Sequence, residues 1–97
     1  MRVIAKKTLK DFWEKHPPAR IPLAAWYYEA LKGDWKSPKD IKSHYRSADF
    51  LAGNRVVFNI GGNKYRLVVK INYHFRVIYI RFIGTHKEYD RINAEIV

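Results

Sequence analysis

The sequence predicts an α+β fold: helices first, then a twisted antiparallel meander, then a short C-terminal helix. Three observations predict it. Apolar residues as far as about residue 45 recur at helical spacing. From Arg55 onward the period falls to two, in three runs rich in β-branched and aromatic side chains. Prolines and glycines fall between these segments rather than inside them.

Taken in order, residues 2–5 can form a short opening strand. Leu9, Phe12, Trp13 and His16 then make one helical stripe, which Pro17-Pro18 ends. Pro22 suits a second helix start, and Leu23, Trp26, Tyr27, Ala30 and Leu31 continue the spacing until Gly33. The two helices are expected to form a hairpin whose aromatic stripe, with Trp13, Trp26 and Trp35, packs as core. Ser37-Pro38-Lys39-Asp40 reads as an N-cap, a proline at the first helical position and an acid at the third, opening a short helix through about Tyr45. Residues 46–54 read as a loop ending in Gly53-Asn54. Arg55–Ile60, Tyr65–Asn72 and Phe75–Ile83 read as strands, with Gly61-Gly62-Asn63 and Tyr73-His74 as turns between them. Thr85-His86-Lys87-Glu88 is a capping box for a terminal helix carrying Tyr89, Ile92 and Ile96 on one side.

The 97 residues fit one domain spanning 1–97, and 47% hydrophobic with 15% aromatic content is ample for a folded core. There are no cysteines, so disulfide and thiolate chemistry are excluded. No apolar run approaches the roughly 20 residues a membrane helix needs, and the N-terminus turns basic too early for a signal peptide. A soluble cytoplasmic protein with no membrane association is expected. Nineteen Lys and Arg against nine Asp and Glu leave a net charge of +10. Such self-repulsion disfavours the compact state and points to a polyanionic partner; for solubility alone, acidic residues do better.

Strand alternation divides the meander into two faces. One collects Val56, Phe58, Ile60, Tyr65, Leu67, Val69, Ile71, Ile78, Ile80 and Phe82, a core face ready to receive the helices. The other collects Arg55, Val57, Asn59, Arg66, Val68, Lys70, Val77, Tyr79 and Arg81. Its cations Arg55, Arg66, Lys70 and Arg81 have no acid among them. Guanidinium forks match phosphate oxygens, and Tyr79, with Tyr65 if the register permits, can stack on a base. A solvated, unpaired basic face is the plainer alternative.

Other chemistries lack their residues. There is no phosphate-binding loop, no dinucleotide glycine pattern, and no Cys or His cluster at metal spacing, so no cofactor or metal is expected. If the protein is a catalyst, its chemistry is built from Arg, Lys, His and Tyr. That set suits metal-free RNA cleavage, in which the substrate's own 2′-hydroxyl is the nucleophile.

Asn59-Ile60-Gly61-Gly62-Asn63-Lys64-Tyr65-Arg66-Leu67, followed by Tyr79 through Asp90, resembles the HigB toxins of the RelE/ParE superfamily. The lysine-rich first helix, the second helix, Trp35 and Ser37-Pro38-Lys39-Asp40-Ile41-Lys42 extend the resemblance over essentially the whole chain. Ile83-Gly84-Thr85-His86-Lys87-Glu88-Tyr89-Asp90 is its most specific stretch. The resemblance implies a helical hairpin on a twisted antiparallel sheet and mRNA cleavage on translating ribosomes. It also implies a cognate helix-turn-helix antitoxin of the HigA type.

In such toxins an arginine stands at the position of Arg66, a histidine or arginine at that of His86, and a functional tyrosine near Tyr89. Catalytic sets vary among them, so the resemblance leaves the roles of Arg81, Lys64, Lys70 and Lys87 open. The expected mechanism has His86 as general acid, Arg66, with Arg81, stabilising the phosphate, and Tyr89 stacking beside the cut. Lys64, Lys70 and Lys87 would hold neighbouring phosphates. Each has a structural alternative. Arg66 can bridge to Glu88 or Asp90, and Tyr89 with Ile92 fits a core stripe. His86 in a first helical turn opposes the helix dipole, which favours a functional reason for it. A non-catalytic nucleic-acid-binding module and a gyrase-directed toxin of the same fold are the rival functions.

Overall fold

The computed structural model describes residues 1–97 and is α+β. The order is β1 (Arg2–Ile4), α1 (Lys6–Lys15), a 3₁₀ turn (Pro17–Ala19), α2 (Arg20–Lys32), α3 (Pro38–His44), β2 (Asp49–Leu51), β3 (Arg55–Ile60), β4 (Tyr65–Asn72), β5 (Val77–Thr85) and α4 (His86–Tyr89). One five-stranded sheet runs β1-β5-β4-β3-β2. It is mixed rather than purely antiparallel, because β1 lies parallel on β5 and satisfies that strand's otherwise open edge. None of the helices is long and apolar enough to cross a membrane.

The inner sheet face carries the main core. Val56, Phe58, Ile60, Tyr65, Leu67, Val69, Ile71 and Ile78 meet Leu9 of α1, Leu23, Trp26 and Ala30 of α2, and Ile41 of α3. Phe58 is its hub, with the rings of Trp26 at 5.4 Å, Tyr45 at 5.1 Å and Trp35 at 6.1 Å. Each such buried side chain contributes about 1.5–3 kcal/mol. The Tyr45 hydroxyl donates to the Glu29 carboxylate; burial first, and this neighbour second, push its pKa well above that of an ordinary phenol.

Several local expectations are corrected. The second helix begins at Arg20, two residues before Pro22; a proline is tolerated there because first-turn N–H groups have no intrahelical acceptor. Ser37 holds the N-cap position of α3 without a side-chain bond, and the Asp40 carboxylate instead accepts from Lys36 N at 2.9 Å. The expected loop 46–54 contains β2, a three-residue edge strand too short to show a period, joined to β3 through Gly53 and Asn54 at φ 73° and 58°. Phe75 belongs to the turn before β5 rather than to the strand: Asn72 Oδ1 accepts from Phe75 N, and Arg76 adopts φ 58°.

Two corrections reshape the outer face. A register shift between Val68 and Val69 makes Val69 pair with Ile80 but Val68 with Phe82, so Arg81 is the extra, bulged residue. Every side chain beyond it changes sides. Ile83 rather than Phe82 joins the main core, and Phe82 forms a second apolar cluster outside with Val57, Val68, Leu51, Tyr89, Ile92 and Ala94. The terminal helix is also only four residues long. Past it the chain crosses the outer face in turns that lay Ile92 and Ala94 on the sheet, leaving Ile96 75% exposed rather than on a buried stripe.

Candidate active site on the outer sheet face

Strand register sorts the outer face into three rows. Asn59, Arg66 and Gly84 stand side by side across β3, β4 and β5; then Val57, Val68 and Phe82; then Arg55, Lys70 and Tyr79. The middle row is apolar and lies under the C-terminal segment. The predicted cations are therefore divided between two ends.

At the first end Arg66 is buried, only 9% exposed, and no acid pairs with it. Its guanidinium donates to Asn63 O at 3.2 Å, Tyr65 O at 3.3 Å and Asn63 Oδ1 at 3.0 Å. Neutral oxygens orient the group without cancelling its charge, so the ion pair with Glu88 or Asp90 is not formed. Its Nε bonds to nothing and still touches solvent, since Trp26 Nε1 is the one buried side-chain polar atom without a partner. A guanidinium with donors to spare has the geometry to meet an oxyanion.

His86 opens α4, and its backbone N–H donates to Lys64 O at 3.1 Å. The same short segment, residues 63–65, thus fastens both His86 and Arg66. The His86 ring is half-exposed, with Nδ1 3.1 Å from Asp90 Oδ2, one helical turn on. That contact engages Nδ1 and leaves Nε2 without a hydrogen bond. The capping box beneath is complete: Glu88 N donates to Thr85 Oγ1 at 3.2 Å and Thr85 N to Glu88 Oε1 at 2.8 Å. The Thr85 backbone N–H, above all, holds the Glu88 carboxyl below its ordinary pKa. Lys64 and Lys87 are exposed around this end, with no side-chain hydrogen bond or ion pair. Tyr89 is half-buried, its ring 6.5 Å from that of Phe82 in the outer apolar cluster.

The second end is built differently. Lys70 and Tyr79 face each other across β4 and β5, and the Arg81 guanidinium, two residues on, stands 5.9 Å from the centre of the Tyr79 ring. These residues line a hollow of about 530 Å³ with Asn54, Asn72 and His74. Arg55 is in the same row but is not free, because its Nε donates to Val97 O at 2.9 Å. Arg81 therefore lies with Tyr79 rather than with Arg66. No group of three or more His, Asp or Glu side chains is arranged to hold a metal ion.

Three residues of the first end escape the sequence reading as site residues. Asp90 carries a signal, its i+4 spacing from His86. Asn63 reads only as a turn residue, yet its side chain and carbonyl both hold Arg66. Gly84 gives no signal at all. It stands beside Arg66, and a Cβ there would lie 2.5 Å from the Phe82 ring.

Residues 19–92 match the HigB toxin family, described as the RelE-like toxic component of a toxin–antitoxin system. The chain is 38% identical to the "mRNA interferase toxin HigB" of Escherichia coli K12 over 96 residues, covering 97% of this chain and 92% of that protein. Identity and coverage are the same for the "mRNA interferase HigB" of Shigella flexneri. A further "mRNA interferase HigB", from E. coli O6:H1, is 26% identical over 94 residues, 95% of this chain and 91% of its own length.

Proposed function

The chain belongs to the HigB family of RelE-like toxins, and from that premise we propose that it is an endoribonuclease that cuts messenger RNA, held in check by a cognate antitoxin. The finer reading is a single RelE-like domain with α1 and α2 as its helical hairpin, acting in the cytoplasm on messages engaged by ribosomes. Its antitoxin is a helix-turn-helix protein of the HigA type.

The observation that carries the chemistry is Arg66, a buried cation with no carboxylate, fastened to the same short segment as the Asp90-bound His86. The substrate's 2′-hydroxyl gives up its proton to solvent water and attacks the adjacent phosphorus, and the bond to the 5′-oxygen breaks. Arg66 meets the charge that builds on the phosphate oxygens, which it does best from a fixed position with little water around it. His86 delivers a proton from Nε2, the nitrogen that Asp90 leaves free, to the departing 5′-oxygen. The products are a 2′,3′-cyclic phosphate and a 5′-hydroxyl, formed without a metal or other cofactor. Lys64 and Lys87 hold flanking phosphates. Tyr89 supports the site through its packing on Phe82 and orients the base beside the cut.

Separate induction of the wild type and His86→Ala in a bacterial host, with 5′ ends of transcripts mapped, tests this function. New cuts within translated messages, absent in the variant, are expected. Growth arrest with intact transcripts would contradict it and favour a gyrase-directed toxin. No arrest by the wild type would favour a non-catalytic binding module.

A further inference from the structure

The hollow at the second end is not used by cleavage at His86. We propose that it is a subsite for one nucleotide of the single-stranded message, beyond the immediate neighbours of the scissile phosphate, with Tyr79 and Arg81 receiving the base and Lys70 its phosphate. The proposal rests on the ribonuclease function and adds a second, separate grip on the same substrate.

Four observations carry it. The hollow, at about 530 Å³, falls within the range of small-ligand sites. Lys70 and Arg81 line it with no ion-pair partner and no acid among the lining residues, so it presents uncompensated positive charge. Tyr79 is 36% exposed, and the Arg81 guanidinium stands 5.9 Å from its ring; an aromatic ring and a guanidinium plane are the two surfaces on which unpaired bases stack. Asn54 and His74 in the lining add groups able to bond a base edge. Cations alone would serve an acidic peptide equally well. Cations set around an exposed ring fit a nucleotide, which brings a phosphate and a π-face together.

Arg81 follows Tyr79 by two residues on β5, bulged and without a β4 partner between Val68 and Val69, and its guanidinium stands beside the Tyr79 ring. Lys70 lies four residues beyond Arg66 on β4, about 13 Å along the strand. The apolar row of Val68 and Phe82 separates the two. A bound strand must span that row to engage both ends.

Fluorescence polarisation with the full chain and uncleavable 2′-deoxy-containing oligoribonucleotides of two, four, six and eight nucleotides tests this. Wild-type affinity should step up once the strand is long enough to reach both ends. Tyr79→Leu and Arg81→Ala should abolish the step, losing about ten- to a hundred-fold on the octamer and little on the dinucleotide. Lys10→Ala removes an exposed charge elsewhere and should keep the step, and thermal melts establish that each variant folds. The proposal is overturned if Tyr79→Leu and Arg81→Ala keep the step or lose equally at every length. No wild-type step, or loss of affinity for an oligoglutamate peptide alone, overturns it too. Cleavage of translated message by the same wild-type preparation reads the premise separately. A step lost without wild-type cleavage keeps the subsite and removes the nuclease, and cleavage with the step intact in the variants does the reverse.

Discussion

The two ends of the outer sheet face carry similar charge in opposite physical states. At the Arg66 end the cation is buried and held by three hydrogen bonds to neutral oxygens, and the histidine is oriented by Asp90. At the Tyr79 end Arg81 is exposed and touches its neighbour only through an aromatic ring. A fixed, partly desolvated cation suits a transition state, whose charge must be met without reorganisation. An exposed one suits a flexible strand. On the proposed function the first end supplies chemistry and the second grip, and several substitutions can break this division or sharpen it.

The largest effect is expected at Arg66. Arg66→Met should lower single-turnover cleavage about a hundred-fold or more with little change in melting temperature, because relief from burying a charge offsets the three hydrogen bonds lost. A variant that melts well below wild type would mark Arg66 as structural instead. Gly84→Ala comes next. The added carbon meets the Phe82 ring at 2.5 Å and Glu88 Oε1 at 3.1 Å, so about 1–3 kcal/mol of stability should be lost in chemical denaturation.

Asp90→Asn should slow cleavage about tenfold with no change in RNA affinity, since only the orientation of His86 is altered. The smallest effect is at Glu88. Its folded pKa is lowered, so its contribution is present above the ordinary value of 4.5 and is lost as pH falls through the lower folded value. Glu88→Gln keeps the capping bond but not the charge, so it should cost about 0.3–1 kcal/mol at neutral pH and flatten the acid side of the pH–stability curve. Equal slopes for variant and wild type between pH 5 and 3 would contradict this.

Much of this layout was legible because local rules and tertiary packing agree. Leu9, Leu23, Trp26 and Ala30 follow helical spacing and are buried, and the Thr85–Glu88 capping box forms in full. The illegible parts depend on pairing. The bulge is a mismatch between β4 and β5, which neither strand encodes alone, so strict alternation puts Phe82 inside and leaves Arg81 in step with Arg66. Phe75 reads as strand from its β preference, although Asn72 and Arg76 turn the chain there. Arg55 reads as a free cation, although an atom 42 residues away, Val97 O, accepts its hydrogen bond. The charge of the face could be read from composition and alternation; its division into two ends could not.

The central claim is that chemistry and grip occupy different ends. Single-turnover cleavage of message on translating ribosomes, with toxin titrated to saturation, compares His86→Ala and Arg81→Ala directly. His86→Ala should remain about a hundred-fold or more slower than wild type at any concentration. Arg81→Ala should need more toxin yet approach the wild-type rate at saturation. An Arg81→Ala defect that persists at saturation, or a His86→Ala defect that saturation removes, would contradict the division.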